Sequence, residues 1–442
     1  MKPTVFRCFG ICLSVVLFDT SQARADAVIQ WNENAAKAAA AACVIADGNP
    51  LAESRMYAIT HAAIHDAVNA IDRRSRPYAF DGMAGGPASI DAAVAAAARD
   101  ALVSVISKLP TSEACIAGGI AETNAMYAAA LAAVPDGPAK IRGVALGQTA
   151  AAAIVALRAG DGSDAPLVNF NYPQGTQPGQ WRFTPDFPLQ LAFGPEWGKV
   201  TPFVLKHSSQ FRPGAPYHLG SEKYAADYNE IKLIGGDNIT TPSTRTADQT
   251  QIGLFWIESS PLAWNRLARA LAASRGLAIA ETARLFGLLN LAMADGYIAS
   301  WEAKYHYRFW RPITAIRLGD TDGNPATVRD ADWTPLQPTY PMPDHDSGHA
   351  VQGGVAAEVL KQFFGTDDVP FTICSTTVGV GNTCADPAPV LRSYASFSQA
   401  ADENAVSRIY IGIHFRHAVE EGVRHGRKIA AYAVHTVLKP VQ

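Results

Sequence analysis

The sequence has little of several features that would assign it to other protein classes. Its 442 residues include 37 lysines and arginines against 40 acidic residues, so the net charge is only −3. This balance gives no reason to expect nucleic acid or an anionic membrane as a partner. Charged residues make up 17% of the chain and hydrophobic residues 48%, which excludes a disordered chain. Beyond the N-terminus, no stretch reaches about 18 unbroken apolar residues, so we expect no membrane span in the mature chain.

The first 25 residues have the organisation of a secretory signal peptide. Lys2 and Arg7 supply a positive region, 8–18 is an apolar run, and 23–25 reads Ala-Arg-Ala, a signal-peptidase site. An uncleaved anchor is the alternative, but the apolar run is short for a span. We predict a periplasmic or secreted protein whose residues 26–442 form a single α-helical domain.

Only four of the six cysteines remain after removal of this segment. Cys374 and Cys384 flank a short loop and are expected to close it, which pairs Cys43 with Cys115. Four cysteines allow three connectivities, so this pairing is a preference. No C-x-x-C motif accompanies them, which argues against zinc.

Strand signals are few and short, whereas alanine-rich segments with apolar residues at helical spacing are frequent. The spacing predicts helices at 92–106, 123–131, 262–271, 281–307, 348–364, 393–411 and 418–437. We therefore expect an all-α fold of helical bundles with long irregular loops. The longest loop, 162–217, is rich in Pro, Gly, Trp and Phe. It either lines a substrate entrance or wraps over the surface.

Two cations stand close together at the end of the long predicted helix. Lys304 precedes Arg311 by seven residues, which is close to two helical turns and would place both on one face. Pro312 disfavours helical geometry at Arg311, so this arginine is expected at the helix end. Taken alone, the pair is better explained as two solvated surface cations.

A loop enters a predicted helix at Ser347-Gly348-His349. A helix N-terminus presents unpaired N–H groups, glycine lets the backbone approach a ligand, and the serine hydroxyl can donate to an oxyanion. A plain N-cap serine followed by a surface histidine is the ordinary alternative.

A third segment contains Arg408 and His414, with Gly412 between them as a helix stop. For a lone histidine such as His414, a buried ring with a backbone partner is the usual explanation. Together, however, the three segments supply three cations, a hydroxyl, a backbone N–H and two imidazoles. This set suits a tetrahedral or trigonal-bipyramidal oxyanion.

The order and spacing of these segments carry a resemblance. The patterns K-x6-R-P, S-G-H and S-R-x3-G-x-H lie within 301–317, 341–354 and 404–417. They resemble the vanadium-dependent haloperoxidases and the type 2 phosphatidic acid phosphatases that share their site. The resemblance implies a vanadium chloroperoxidase-like fold and a vanadate cofactor with which phosphate competes. It also implies hydrogen peroxide and halide as substrates and a hypohalous-acid-like product. An organic acceptor and a homo-oligomer are left open.

The same resemblance implies a role for each site residue. His414 would bond to vanadium, His349 would transfer protons, and Lys304 would assist catalysis from the oxyanion site. The residues implied to hold the cofactor are Lys304, Arg311, Ser347, Gly348, Arg408 and His414. Trp301 and Met342 would line the halide pocket.

Three positions depart from the family pattern. Asp346 replaces the usual proline, Met342 an aromatic residue, and Ala418 an aspartate that orients the histidine. We expect Asp346, Glu421 or a backbone carbonyl to orient His414 instead.

Two other functions are consistent with the same residues. One is a periplasmic acid phosphatase with His414 as phosphoryl acceptor, and the other is an anion-binding protein without turnover. Trp301 and the chain length favour the haloperoxidase. Of the other histidines, His61 and His65 are expected to pack between helices and not to bind metal. His306 and His417 are expected to lie around the site, and His425 and His435 at the surface.

Overall fold

A computed structural model describes residues 26–379 and 381–441, and the predicted signal peptide lies outside them. Helices dominate the described residues, which confirms the all-α prediction. The helices are α1 Ala27–Ala41, α2 Pro50–Asn69, α3 Ile90–Ile106, α4 Glu113–Ala132, α5 Pro138–Leu157, α6 Glu222–Ile234, α7 Ala247–Phe255, α8 Ser260–Arg275, α9 Ile279–Tyr307, α10 Pro312–Arg317, α11 Gly348–Phe364, α12 Phe397–Tyr410 and α13 Arg416–Thr436. Two antiparallel pairs complete the set: β1 Val168–Asn169 with β2 Ala192–Phe193, and β3 Phe371–Cys374 with β4 Leu391–Tyr394.

The N-terminal helices approach one another closely because their contact faces are glycine and alanine. A Cβ atom added at Gly143 or Gly147 of α5 would lie 2.3 Å from the Ser89 carbonyl oxygen or 2.2 Å from that of Ala93. Helix α5 is also long and apolar enough to cross a membrane, and 28% of its apolar window is buried. A single helix of this kind among the described residues is weak support for a membrane span.

Helix α9 forms the centre of the fold and carries the site at its C-terminal end. Glu281 caps its first turn by accepting a 3.0 Å hydrogen bond from the backbone N–H of Ala278. Most of its side chains are buried against α2 and α11. The helix ends at Arg308, whose φ of 46° is left-handed, four residues after Lys304.

Helices α11 and α13 make a backbone-to-backbone contact next to the site. A Cβ atom at Gly422 would lie 2.9 Å from the Ser347 carbonyl oxygen, and one at Gly426 would lie 2.1 Å from that of Val351. Helix α13 therefore contributes no side chain at these points. The S-G-H segment at the start of α11 is fixed relative to the loop that precedes α13.

Most predicted helices are present with shifted ends, and α11 ends at Gly365 with a φ of 76°. The predicted helix at 393–411 begins too early, because residues up to Tyr394 pair as a strand with β3. Helix α12 starts only after Ser396, whose hydroxyl accepts a hydrogen bond from the Gln399 N–H. Tertiary pairing thus overrides helical spacing at this boundary.

The predicted disulfides both form. Cys43 pairs with Cys115, and Cys374 pairs with Cys384. The first joins the end of α1 to α4, and the second closes the loop that follows β3. No group of three metal-ligating side chains occurs among the described residues.

The early histidine pair packs between helices, as predicted. His61 is buried, stacks on Phe286 at 5.1 Å, and lies 2.8 Å from the Asn32 amide nitrogen. His65 is held between the Asp66 carboxylate at 2.8 Å and the Ser75 hydroxyl at 2.7 Å. Both rings thus have structural partners.

Candidate functional site

Two different helices bring Lys304 and Arg311 together. The prediction of one continuous helical face is wrong, because α9 ends at Tyr307 and Arg311 caps the start of α10. The expected effect of Pro312 is confirmed, since the backbone of Arg311 is extended (φ −83°, ψ 156°). Both cations nevertheless line one cavity.

The Lys304 ammonium holds the loop that precedes α11. Its Nζ donates to the carbonyl oxygens of Pro343 at 3.0 Å, Asp344 at 3.1 Å and Asp346 at 2.5 Å. Burial, followed by the nearby Arg311 charge, lowers the pKa of Lys304 to about 7. Because three carbonyl oxygens accept from Nζ, this geometry requires the charged ammonium form, and Lys304 fixes the backbone of the site.

The two arginines are fully buried, and each uses part of its guanidinium on the protein. Arg311 donates to the carbonyl oxygens of Met342 and Ile413, both at 2.7 Å. Arg408 donates to the Ser407 hydroxyl at 2.9 Å and to the Trp256 carbonyl at 2.6 Å. Burial lowers the pKa of each arginine to about 10, so both remain charged at neutral pH. Among the described contacts, none uses Arg311 Nη2 or Arg408 Nη1, and these atoms keep free donors.

The start of α11 provides uncharged donors. Ser347 is completely buried, and its hydroxyl has no hydrogen-bond partner among the residues that the structure describes. Its backbone N–H donates at 3.0 Å to the carbonyl of Ala418, the position where the family pattern has an aspartate. A Cβ atom on Gly348 would lie 3.3 Å from the Trp301 ring, closer than side chains normally pack. An orphaned hydroxyl beside a helix N-terminus is suited to an oxyanion.

Asp344 orients His414, a role that the sequence reasoning assigned to other residues. Asp344 Oδ1 lies 2.8 Å from His414 Nδ1, and Arg311 Nη1 lies 3.0 Å from His414 Nε2. Burial, and next the Arg311 charge, lowers the pKa of His414 well below its ordinary value. Burial raises the pKa of Asp344 to about 7 despite Arg311 and Lys304. A neutral His414 that donates from Nδ1 keeps a lone pair on Nε2.

His349 is held in a complementary way. Its Nε2 lies 3.3 Å from the carbonyl oxygen of Glu258, so it donates there and Nδ1 is left as the nitrogen that can accept a proton. Burial, followed by the charge of Arg408, lowers the pKa of His349 well below its ordinary value. Both histidines of the site are therefore neutral at neutral pH.

Asp346 does not face the anion pocket. His425 was expected at the surface, but the structure buries it. The two are buried and paired, with Asp346 Oδ2 2.7 Å from His425 Nδ1, while Ser300 donates to Oδ1 at 2.6 Å. Burial alone would raise the pKa of Asp346, but the contacts with His425 lower it below its usual range. This pair ties the loop to α13.

A cavity of about 480 Å³ opens above these groups. Lys304, Arg311, Gly348, His349 and His414 line it together with Trp301 and Met342, so the structure brings most of the predicted site residues together. Ser347 and Arg408 lie buried behind its wall. The loop 162–217 does line the cavity, through Leu167, Val168, Phe187, Leu189, Leu191 and Phe193.

Sequence reasoning missed two carboxylates. Asp344 stands three residues before Ser347. The sequence prediction named the nearby Asp346, and not Asp344, as a residue that orients His414. Glu53, in the first turn of α2, lines the same cavity and is 1% exposed. No spacing rule connects Glu53 to the C-terminal motifs, although an acid in a helix of buried residues was a usable signal.

Known proteins share this fold. A family model described as the VCPO second helical-bundle domain matches residues 284–442. Vanadium chloroperoxidase from Curvularia inaequalis is 28% identical over 290 residues, which span 52% of this chain and 47% of that protein. The match thus covers about half the length of this curated relative.

Solved structures resemble the whole described chain. A crystal structure of a bacterial vanadium-dependent iodoperoxidase superimposes with a TM-score of 0.74 at 24% identity, covering 94% of this chain and 97% of the other. A holo-type bacterial vanadium-dependent chloroperoxidase gives a TM-score of 0.67 at 15% identity, covering 87% and 91%. These likenesses show that the chain has the fold of the vanadium-dependent haloperoxidases, and residues 284–442 also match the family model of their second helical-bundle domain.

Proposed function

We propose that the protein is an exported vanadate-dependent haloperoxidase that oxidises halide with hydrogen peroxide. The observation that carries this proposal is the cavity, which is lined by two buried cations, two neutral histidines and the N-terminus of α11, where the buried Ser347 hydroxyl has no partner among the described residues. The relatives named as vanadium chloroperoxidase and iodoperoxidase support the same activity.

The residues present fit vanadate. The Ser347 hydroxyl and the Gly348 N–H can donate to its oxygens, and so can the unused nitrogens of Arg311 and Arg408. Lys304 adds a third positive charge, although its N–H groups already bind the loop. The Nε2 lone pair of His414 can bond to vanadium in place of its present contact with Arg311 Nη1, which lies 3.0 Å away. When bound, vanadate supplies Lewis-acid activation of hydrogen peroxide.

The chain's own residues have clear tasks in this reaction. The overall change converts halide, hydrogen peroxide and one proton into hypohalous acid and water, so protons must be moved within the site. His349 can accept a proton on Nδ1 and return it, because burial keeps the ring neutral before the reaction. Asp344 holds His414 in the tautomer whose proton is on Nδ1, so that Nε2 carries a lone pair and no proton. The halide would meet the cavity beside Trp301 and Met342.

The export part of the proposal has separate support. The N-terminal 25 residues carry the signal-peptide pattern, and the two disulfides of the described residues suit an oxidising compartment. Mass spectrometry of the protein from a periplasmic or culture fraction would test this, because a chain that begins at Asp26 is expected. Recovery with the first 25 residues intact would contradict it.

Two parallel assays of the purified mature chain test the activity. One contains vanadate, hydrogen peroxide and chloride, bromide or iodide, and the other contains a chromogenic phosphate monoester without vanadate. We expect halide oxidation that requires vanadate and is suppressed by phosphate, since both anions use the same donors. Hydrolysis of the ester, inhibited by vanadate and without halide oxidation, would instead establish a phosphatase.

A further inference from the structure

Glu53 lines the same cavity as His349 and His414. It is 1% exposed, and its Oε2 accepts a hydrogen bond from the Ser259 hydroxyl. Its Oε1 is buried and has no hydrogen-bond partner within residues 26–379 and 381–441. Burial of an unpaired carboxyl oxygen is costly, so a group supplied from the cavity would satisfy it. No step of the proposed halide oxidation uses Glu53.

The cavity is larger than the inorganic reactants need. An oxyanion with four oxygens takes about the volume of four water molecules, or about 120 Å³. The cavity holds about 480 Å³, within the range of roughly 300–1,000 Å³ that organic ligands occupy in proteins. Space for a further molecule therefore remains beside the oxyanion site.

The walls around this space indicate the chemistry of that molecule. Apolar side chains dominate them, including Val44 and Ile45 on one side and Phe187, Leu189 and Phe193 from the long loop on the other. Such walls favour an apolar or aromatic body. The cations at the base of the cavity repel a cationic amine, so a neutral hydrogen-bond donor suits Glu53 best.

We propose that Glu53 and these apolar walls form a binding subsite for a phenolic organic molecule, whose hydroxyl donates to Glu53 Oε1. Such a molecule would lie where hypohalous acid is released. Its electron-rich ring would take the halogen from that acid, while the ring C–H bond breaks and its proton leaves with the hydroxide as water. Its role as halogen acceptor rests on the proposed haloperoxidase function, whereas its binding does not.

Equilibrium binding to the full mature chain, loaded with vanadate but without peroxide or halide, tests this subsite. The probes are 2-naphthol and 2-methoxynaphthalene, which share the ring system but differ in the donor. At pH 8 we expect 2-naphthol to bind at least about tenfold more tightly, as a hydrogen bond to a buried carboxylate gives. Equal affinities in the wild-type protein would overturn the proposal, and this comparison needs no variant.

Variants then assign the discrimination to one residue. Glu53→Met removes both oxygens at similar length and is expected to bring the two affinities together. Glu53→Gln keeps an acceptor for Ser259 and should reduce the ratio. Asp47→Asn changes an exposed carboxylate on the rim of the same cavity and should leave the ratio unchanged. Glu53 variants that still bind 2-naphthol more tightly than 2-methoxynaphthalene by the wild-type ratio would refute the assignment. So would an Asp47→Asn protein that has lost this difference in affinity.

The outcomes also separate this subsite from the proposed activity. A chain that distinguishes the probes through Glu53 but oxidises no halide would keep the subsite and refute the haloperoxidase. A chain that oxidises halide but binds both probes equally would support the haloperoxidase and refute the subsite.

Discussion

Replacing Asp344 with asparagine should weaken vanadate binding through the tautomer of His414. The Asp344 carboxylate accepts from His414 Nδ1 at 2.8 Å, which leaves Nε2 with its lone pair. An asparagine amide can present an N–H at this position and favour the tautomer protonated on Nε2, which cannot bond to vanadium. Loss of the residue that orients a ligand histidine typically costs 10- to 100-fold in affinity, or about 1.4 to 2.8 kcal/mol. We expect a change of this size in the vanadate dissociation constant.

Fluorescence or calorimetric titration with vanadate measures this constant without turnover. Asp66→Asn is the matched control, since Asp66 is also a buried carboxylate paired with a histidine, His65, at 2.8 Å. It should lower the melting temperature without changing vanadate affinity. An Asp344→Asn protein with wild-type affinity would refute the proposed orientation of His414. Equal loss in the Asp66 variant would show that general destabilisation is the cause.

Three further predictions concern proton transfer, pH and helix packing. His349→Ala should retain vanadate binding but lose most halide oxidation, and unchanged turnover would exclude His349 as the proton carrier. Burial raises the pKa of Glu53 from 4.5 to about 7, so its stabilising contribution is present at pH 4.5 and is lost as the pH rises through 7. The melting temperature of Glu53→Gln relative to wild type should therefore be higher at pH 8 than at pH 5, and a constant difference would contradict this pKa. Gly426→Ala should destabilise the protein by about 1–3 kcal/mol in urea unfolding, because its Cβ would meet the Val351 carbonyl at 2.1 Å. Gly365→Ala is the control, because a Cβ atom there would meet no described atom within 4 Å although φ is 76°. It should lower the free energy of unfolding only by the backbone strain, about 1 kcal/mol.

Local chemistry explains what could be predicted from the sequence. The end of α11 follows from Gly365, and the extended backbone of Arg311 follows from Pro312, because each depends on neighbouring residues only. The three motifs located the site for a similar reason, since their internal spacing is short. Cys374 and Cys384 are ten residues apart, so their pairing was also a local matter.

The partners of these residues could not be predicted in the same way. Asp344 reaches His414 because Lys304 fixes the intervening loop through three carbonyl oxygens, which is a tertiary arrangement. His425 was expected at the surface, although it lies seven residues after Ala418 and four before Ile429 on the buried stripe of α13. That spacing was available as a signal.

The construction of the cavity separates two properties that could otherwise change together. Its base consists of helix ends locked by the contact of α11 with α13, where glycines leave no side chain to adjust. Part of its wall comes from the loop 162–217, a different part of the chain. Substitutions at Leu189 or Phe187 could therefore alter which molecules enter while the oxyanion donors stay in place. The range of accepted molecules can thus diversify, in evolution or by engineering, without rebuilding the chemistry beneath.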